Sequence, residues 1–319
     1  MSAFLFPGQG SQTPGMGQFL IDNFPSAKHT FEEASDAINL DLKKLCFTGS
    51  NEDLALTENT QPALLTVSTA TSRVLQKEFG INPEVTAGHS IGEYASFVLA
   101  DVMNFSDAVK SVRLRGQAMQ SAVPVGKGGM IATLGLNEEQ VQFLCTWAVE
   151  GSGFGPVSPA NYNCDGQIVI SGDMQALDWL KACFKPEFLP GEAKRAKLIP
   201  LQVSAPFHCQ MMKPAQEKMQ FFLNDIVFRD AKIKIIQNVH AKVETEAVAL
   251  KKNLIDQVSA PVKWTQSMQT LKELGVTQCF EVGNGGVLKG LLKKIDSEFF
   301  KVYSTSSMED LKFIENLSK

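Results

Sequence analysis

Apolar positions along the chain come in two patterns, short continuous runs and longer segments at helical spacing. The first run, Ala3-Phe4-Leu5-Phe6, has the length of a buried strand and leads into the glycine-rich turn Pro7-Gly8-Gln9-Gly10-Ser11-Gln12. A strand ending in such a turn is a common place for a site in α/β proteins. Helical spacing follows over residues 18–38 and again over 62–79, where Pro62 suits a first helical turn and Gly80 a C-cap. Val85-Thr86-Ala87 reads as a second short strand that stops at Gly88. Helix-compatible stretches cover 91–100 and 106–122. Short buried strands alternating with helices predict a parallel sheet.

The pattern changes at 124–129, which is rich in Gly and Pro. Beyond it come a strand (130–134), a helix (138–149), two strands (157–161 and 167–171), a helix (174–184) and a strand (197–201). That βαββαβ order is the ferredoxin-like one. The segment 184–197 holds Pro186, Pro190 and Gly191 and reads as a loop or hinge. From Val203 the earlier alternation resumes, with short strands at 234–236 and 278–282. The expected organisation is a discontinuous large α/β domain, 1–125 with 200–319, interrupted by a small domain over 126–199. No internal repeat or low-complexity tract breaks this plan.

Composition removes several classes. The 319 residues are 44% hydrophobic and 20% charged, an ordinary globular balance that excludes disorder, collagen and disulfide scaffolds. The net charge is −4, from 30 basic against 34 acidic residues, so the basic footprint of a nucleic-acid binder is missing. No apolar run approaches the ~18 residues of a membrane span. The start, MSAFLFPGQGSQ, lacks the basic and apolar regions of a signal peptide, and a cytoplasmic, membrane-free location is expected. Six scattered cysteines form no CxxC and no zinc-ligand spacing with histidine, so reduced thiols and no metal are expected. Only four histidines are available for base chemistry: His29, His89, His208 and His240.

Gly88-His89-Ser90-Ile91-Gly92 is the strongest local signal, a G-x-S-x-G between a strand and a helix. The glycines relieve crowding at a tight turn that holds the serine hydroxyl out of the fold, as in α/β-hydrolase sheets. The helix N-terminus sets backbone N–H groups beside that hydroxyl, where an oxyanion would form. The large domain is therefore expected to be α/β-hydrolase-like, with a short parallel sheet. An ordinary glycine-rich N-cap would explain the same five residues.

A serine nucleophile needs a base. His89 sits next to it, but a neighbour on a tight elbow points elsewhere. His208 follows Pro206 in Ala205-Pro206-Phe207-His208, just before an expected helix, a placement that suits a catalytic group. His240 lies at an expected strand end and His29 on a polar helix face, where both are explained without function. Arg113 reads as the solvated arginine of its helix.

These residues stand within a longer resemblance. The chain resembles the malonyl-CoA:acyl carrier protein transacylases, in matching order and over essentially its whole length. The shared blocks include Phe6-Pro7-Gly8-Gln9-Gly10-Ser11-Gln12, Thr60-Gln61-Pro62-Ala63, Ala87 to Tyr94, Arg115-Gly116-Gln117-Ala118-Met119-Gln120 and Ala160-Asn161-Tyr162-Asn163. Later come Ala205-Pro206-Phe207-His208, Gln257-Val258-Ser259-Ala260-Pro261 and Glu281-Val282-Gly283. The resemblance implies Ser90 as nucleophile and His208 as base. It implies Gln9 and the Ile91 N–H beside the oxyanion, and Gln257 lending a backbone carbonyl to the histidine, hence a dyad without an acid. Arg115 matches the arginine that pairs with a malonyl carboxylate; His89 and Asn161 match site-lining positions. It further implies an enzyme with no bound cofactor, whose partners are a coenzyme A thioester and acyl carrier protein; a lone domain without fused modules favours fatty acid over polyketide synthesis, and a monomer is expected. For an acidic carrier, Lys194, Arg195 and Lys197 or Lys289, Lys293 and Lys294 are candidate docking clusters, and solvated surface residues explain the same positions equally well.

Two other classes share the elbow. A serine esterase or thioesterase would also show an HGGG-type oxyanion segment, which does not occur, and would leave Arg115 unexplained. A carrier-binding protein with a decayed site would not be expected to keep Ser90, His208, Arg115 and Gln9 together.

Overall fold

Two sheets organise the chain, and the computed structural model describes residues 1–191 and 196–317 of it. The larger sheet contains β1 (Ser2–Phe6), β2 (Val85–Gly88), β7 (Lys234–Ile236), β8 (Val243–Glu244), β9 (Gln278–Glu281) and β10 (Lys301–Ser304). The smaller contains β3 (Gly128–Leu134), β4 (Val157–Cys164), β5 (Gln167–Asp173) and β6 (Lys197–Pro200).

In the larger sheet the order is β10-β9-β1-β2-β7-β8. All pairings are parallel except the last, where the two-residue β8 returns antiparallel on β7. The expected parallel sheet is therefore present, with an antiparallel edge too short to leave a periodic signal. Ala3, Phe4, Leu5 and Phe6 are all fully buried, as a central parallel strand covered on both faces requires. Because side chains alternate, Phe4 and Phe6 enter one core cluster, and Ala3 and Leu5 enter another with Val85, Ala87 and Trp264.

The smaller sheet is antiparallel, in the order β4-β5-β3-β6. Counted within the unit this is second-third-first-fourth, the ferredoxin-like arrangement. Its helices, Glu138–Ser152 and Met174–Cys183, start at Asn137 and Asp173, whose side chains accept from the first-turn N–H groups. The first of them runs three residues past the expected Val149 and stops at Gly153, in the left-handed conformation at φ 73°. Ile131, Val141, Leu144, Ile170, Leu177 and Leu180 form a core of their own. β4 also pairs with the chain outside both sheets, since Tyr162 N–H donates to the Val262 carbonyl and Val262 N–H to that of Ala160.

The helix Thr57–Phe79 begins five residues before the expected Pro62 and contains that proline in its second turn. Proline has no N–H, so the carbonyl four residues back, Glu58, loses its helical partner. Arg113, on the neighbouring helix Phe105–Ser121, fills the gap: its Nη1 donates to the Glu58 carbonyl at 2.8 Å and to Asn59 Oδ1 at 2.5 Å. The sequence-based view of Arg113 as merely solvated is thereby corrected. Its role is to satisfy a carbonyl that a proline left open.

The helix Val287–Asp296 carries Lys289, Lys293 and Lys294, all exposed, and Lys197 is exposed on β6; Lys194 and Arg195 lie outside the described residues. All six cysteines are free and all but Cys183 are buried. Among the described residues no helix is long and apolar enough to cross a membrane.

Replacing Arg113 with Met keeps the aliphatic stem and removes the donors. Urea denaturation should show a loss of about 1.5–3 kcal/mol, the range for a hydrogen bond from a charged group. The same change at the exposed Lys110 of that helix should stay within about 0.5 kcal/mol. Equal losses at the two positions would contradict the assignment.

Candidate active site

The loops that leave β1 and β2 at their carboxyl ends meet, where ligands of parallel α/β sheets bind. β2 turns through Gly88–Gly92 into the helix Gly92–Leu99. The turn is possible only without side chains at its ends. A Cβ on Gly88 would lie 1.9 Å from the Gly92 carbonyl carbon, and one on Gly92 would lie 2.2 Å from the Phe6 carbonyl oxygen. Ser90 sits between them in the left-handed region at φ 52°. Asn238 clamps the turn from both sides, accepting the Ser90 N–H at 2.8 Å and donating to the Gly88 carbonyl at 2.7 Å.

Ser90 Oγ lies 2.7 Å from His208 Nε2. His208 is buried and also left-handed, at φ 58°. Its Nδ1–H points between two backbone carbonyls, Gln257 at 3.0 Å and Ala260 at 3.2 Å. That bond fixes the tautomer and turns the Nε2 lone pair toward the serine. Burial, then the Arg115 charge, push the His208 pKa down to about 3, so the ring is neutral at pH 7. The Ile91 N–H, at the entrance to the helix, makes no hydrogen bond among the described residues.

Arg115 is 1% exposed. Its Nη1 donates to Gln61 Oε1 at 3.0 Å, and its Nη2 to Gln257 Oε1 at 2.9 Å and to Ser90 Oγ at 3.2 Å. Its Nε is buried with no partner among the described residues, and the Tyr94 ring lies 6.0 Å from the guanidinium carbon. A guanidinium has five donors, so some remain for an incoming acceptor. Burial lowers its pKa, yet an arginine stays charged throughout the working range.

One cavity of about 120 Å³ collects most of these groups. Ser90, His208, Arg115, His89, Asn161, Gln9 and Ile91 line it, with Gln61 and an apolar wall of Met119, Met130, Leu201, Val203 and Phe207. Gln257 supports it from behind, fully buried. His89 turns away from the serine, as an elbow neighbour should. Its Nε2 lies 2.9 Å from Asn163 Oδ1, its ring centroid is 5.5 Å from that of Trp264, and burial lowers its pKa. Gln9 is exposed at the mouth. His240, bonded to Asn253 and to the Lys242 N–H, and the exposed His29, paired with Glu32, stand apart from the cavity. Among the described residues no three His, Cys, Asp or Glu side chains are grouped to hold a metal ion.

Three residues to which the sequence assigned no role complete the arrangement. Gln61 and Asn238 orient the guanidinium and the elbow. Glu93 is a fully buried carboxylate whose pKa burial pushes up to about 7, against the pull of donors on Gln257, Asn238 and Gln237. Glu93 and Gln61 lie inside the motif blocks, adjacent to residues with obvious chemistry. Asn238 is 148 residues from the serine it holds, and no local pattern points to it.

The arrangement is a hydroxyl beside a neutral imidazole, a helix entrance with an unengaged N–H, and a buried cation within reach of the hydroxyl. It can form and break an ester on Ser90 and can hold a negatively charged acyl group. Comparison with known proteins agrees. The acyl transferase domain family matches residues 3–293. The malonyl CoA-acyl carrier protein transacylase of Bacillus subtilis (strain 168) is 46% identical over 296 residues, 92% of this chain and 90% of that one. The crystal structure of an acyl carrier protein S-malonyltransferase from Vibrio cholerae superposes with a TM-score of 0.91 at 40% identity, covering 98% of this chain and 99% of the other. A malonyl-transacylase solved in complex with a type II PKS acyl-carrier protein superposes with a TM-score of 0.90 at 40% identity, covering 99% of each chain.

NMR titration of His208 checks the electrostatics directly. Its ring should stay neutral well below pH 6 and titrate near 3, and Arg115→Met should move that value up. An unfolded histidine titrates near 6.5, so between the two values the unfolded chain binds more protons. The His208 contribution to stability is therefore complete above pH 6.5 and is lost as pH falls toward 3. A native titration near 6.5 would contradict the burial and the charge of Arg115 together.

Proposed function

The chain belongs to the acyl transferase family, and we propose that it moves a malonyl group from malonyl-CoA to acyl carrier protein through an ester on Ser90. The observation that carries this reading is the shared contact of Ser90 Oγ, 2.7 Å from a neutral imidazole and 3.2 Å from a buried guanidinium. A nucleophile beside a base forms the ester, and the cation next to it selects an acyl group that ends in a carboxylate.

In the first half-reaction His208 Nε2 takes the Ser90 proton as Oγ attacks the thioester carbonyl. The tetrahedral oxyanion is stabilised by the Ile91 N–H at the helix entrance, with Gln9 at the mouth. Collapse breaks the C–S bond, and His208 returns its proton to the departing coenzyme A thiolate. In the second half-reaction the phosphopantetheine thiol of the carrier gives its proton to His208 and attacks the malonyl-serine ester. Ser90 leaves with that proton, and the enzyme is restored. No bound cofactor takes part, and the scheme is ping-pong. The large domain, 1–125 with 200–319, supplies the chemistry, and the small one, 126–199, walls the cleft.

Two features of Arg115 tie recognition to activation. In the free enzyme its Nη2 donates to Ser90 Oγ, which withdraws electron density from the nucleophile. A malonyl carboxylate accepting that donor releases the oxygen. The same carboxylate offsets one of the charges that depress His208, so the substrate makes its own base stronger. An acetyl group does neither and leaves the guanidinium unpaired. Phe207, Met119 and Met130 close the far wall of the cavity around a short chain.

The carrier is the second substrate. The exposed Lys289, Lys293 and Lys294 on one helix form a surface suited to an acidic partner, with Lys294 already hydrogen-bonded to Gln167.

Labelled malonyl-CoA should acylate the protein, and holo carrier protein should remove the label. Ser90→Ala should take up none; uptake by that variant would overturn the nucleophile. Arg115→Ala should lower kcat/KM for malonyl-CoA by about 3–5 kcal/mol, roughly 100- to 5,000-fold, as when one partner of a buried charge pair is removed. It should change the slow acetyl-CoA reaction far less. Charge reversal of Lys293 and Lys294 together should raise KM for the carrier about tenfold at low salt and leave KM for malonyl-CoA alone. An unchanged carrier KM would remove that helix from the docking surface.

A further inference from the structure

Glu93 is the second residue of the elbow helix, and its carboxylate is sealed from solvent. Among the described residues it meets donors alone. Oε1 accepts from Gln237 Nε2 at 3.0 Å, and Oε2 accepts from Gln257 Nε2 at 2.7 Å and from the Asn238 N–H at 3.2 Å. Three donors and no acceptor suit the ionised form.

The Gln257 side chain stands between this anion and the Arg115 cation. Its Nε2 donates to Glu93 and, at 3.0 Å, to the Ser90 carbonyl, while its Oε1 accepts from Arg115 Nη2 at 2.9 Å. An amide turned end for end keeps its shape but exchanges donor and acceptor. Turned over, Gln257 would set an NH2 against the guanidinium and an oxygen against both a carboxylate and a carbonyl. Glu93 and the Ser90 carbonyl together thus fix which end of Gln257 faces the arginine.

The partners of Arg115 among the described residues are two glutamine oxygens and a hydroxyl, none of them charged. A carboxylate in direct contact would orient the guanidinium but would also occupy it. With an amide interposed, the anion orients the cation and leaves it open to a second carboxylate.

We propose that Glu93 is a positioning residue for acyl selection: acting through Gln257, it holds Arg115 in the pose that receives the free carboxylate of the acyl group. The proposal rests on Arg115 being the partner of the malonyl carboxylate.

The test compares kcat/KM for acylation of the full-length protein by malonyl-CoA and by acetyl-CoA. Glu93→Gln keeps the size of the side chain and removes the charge. The malonyl-over-acetyl ratio should fall at least tenfold, through a higher KM for malonyl-CoA. Both reactions slowed alike, with the ratio preserved, would show a structural role only and overturn the proposal. Gln257→Met retains the backbone carbonyl that holds His208 and removes the amide. It should lower the ratio by a similar factor, and Glu93→Gln should add nothing in that background. A full ratio in Gln257→Met overturns the proposal even if Glu93→Gln folds poorly. Arg115→Ala separates the two levels. If it leaves the ratio intact, the functional reading fails; if it abolishes the ratio and Glu93→Gln does not, only the positioning role fails.

Discussion

A guanidinium buried to 1% exposure, with no carboxylate in contact among the described residues, is the constraint around which this site is built. An isolated buried charge is costly, and proteins usually pair it. Here hydrogen bonds that Arg115 donates to two glutamines and a serine support it without neutralising it. The consequences spread outward. The charge helps to keep His208 neutral, it engages the Ser90 hydroxyl, and it requires oriented acceptors, which are themselves held by the deeper Glu93 carboxyl group. The histidine then needs no acid of its own. Two backbone carbonyls fix its tautomer, and a carboxylate there would raise its pKa and compete for the same cation.

That arrangement depends on bringing together remote parts of the chain. Ser90 and Ile91 come from the turn after β2, Arg115 from a helix packed on Thr57–Phe79, and His208 from the loop that follows β6. Gln257 joins all of them, contacting the Ser90 carbonyl, Arg115, Glu93 and His208. The elbow is tight enough to present Ser90 only because Gly88 and Gly92 lack side chains, and its strained turn is held by Asn238. Packing of the sheet sets the elbow, and the elbow sets the chemistry.

Much of this was legible in the sequence, for identifiable reasons. Strands β1, β2, β7 and β9 are short, mostly apolar runs that end at Pro, Gly or polar residues, and the βαββαβ order survives in spacing alone. Ser90, His208 and Arg115 could be singled out because their chemistry is rare in the chain or embedded in motifs. Other features had no local signal. β8 and β10 are two and four residues long, and their pairing is decided by the sheet they join. Pro62 suggested a helix start, but tertiary support from Arg113 allowed the helix to begin earlier, and the same contact explains why Arg113 is not a free surface cation. The roles of Glu93 and Gln61 carry no signal in the sequence, since burial and partner identity are properties of the folded chain. Gln257 was assigned through its carbonyl, whereas its side chain carries as much of the organisation.

The most direct measurement is the crystal structure of the protein acylated on Ser90 by malonyl-CoA in the absence of carrier. The account predicts the malonyl carboxylate within hydrogen-bond distance of the Arg115 guanidinium, the ester carbonyl oxygen at the Ile91 N–H, and Nη2 released from the serine oxygen. A carboxylate lying in solvent, with Arg115 still bound to its glutamines and to Ser90 Oγ, would contradict it.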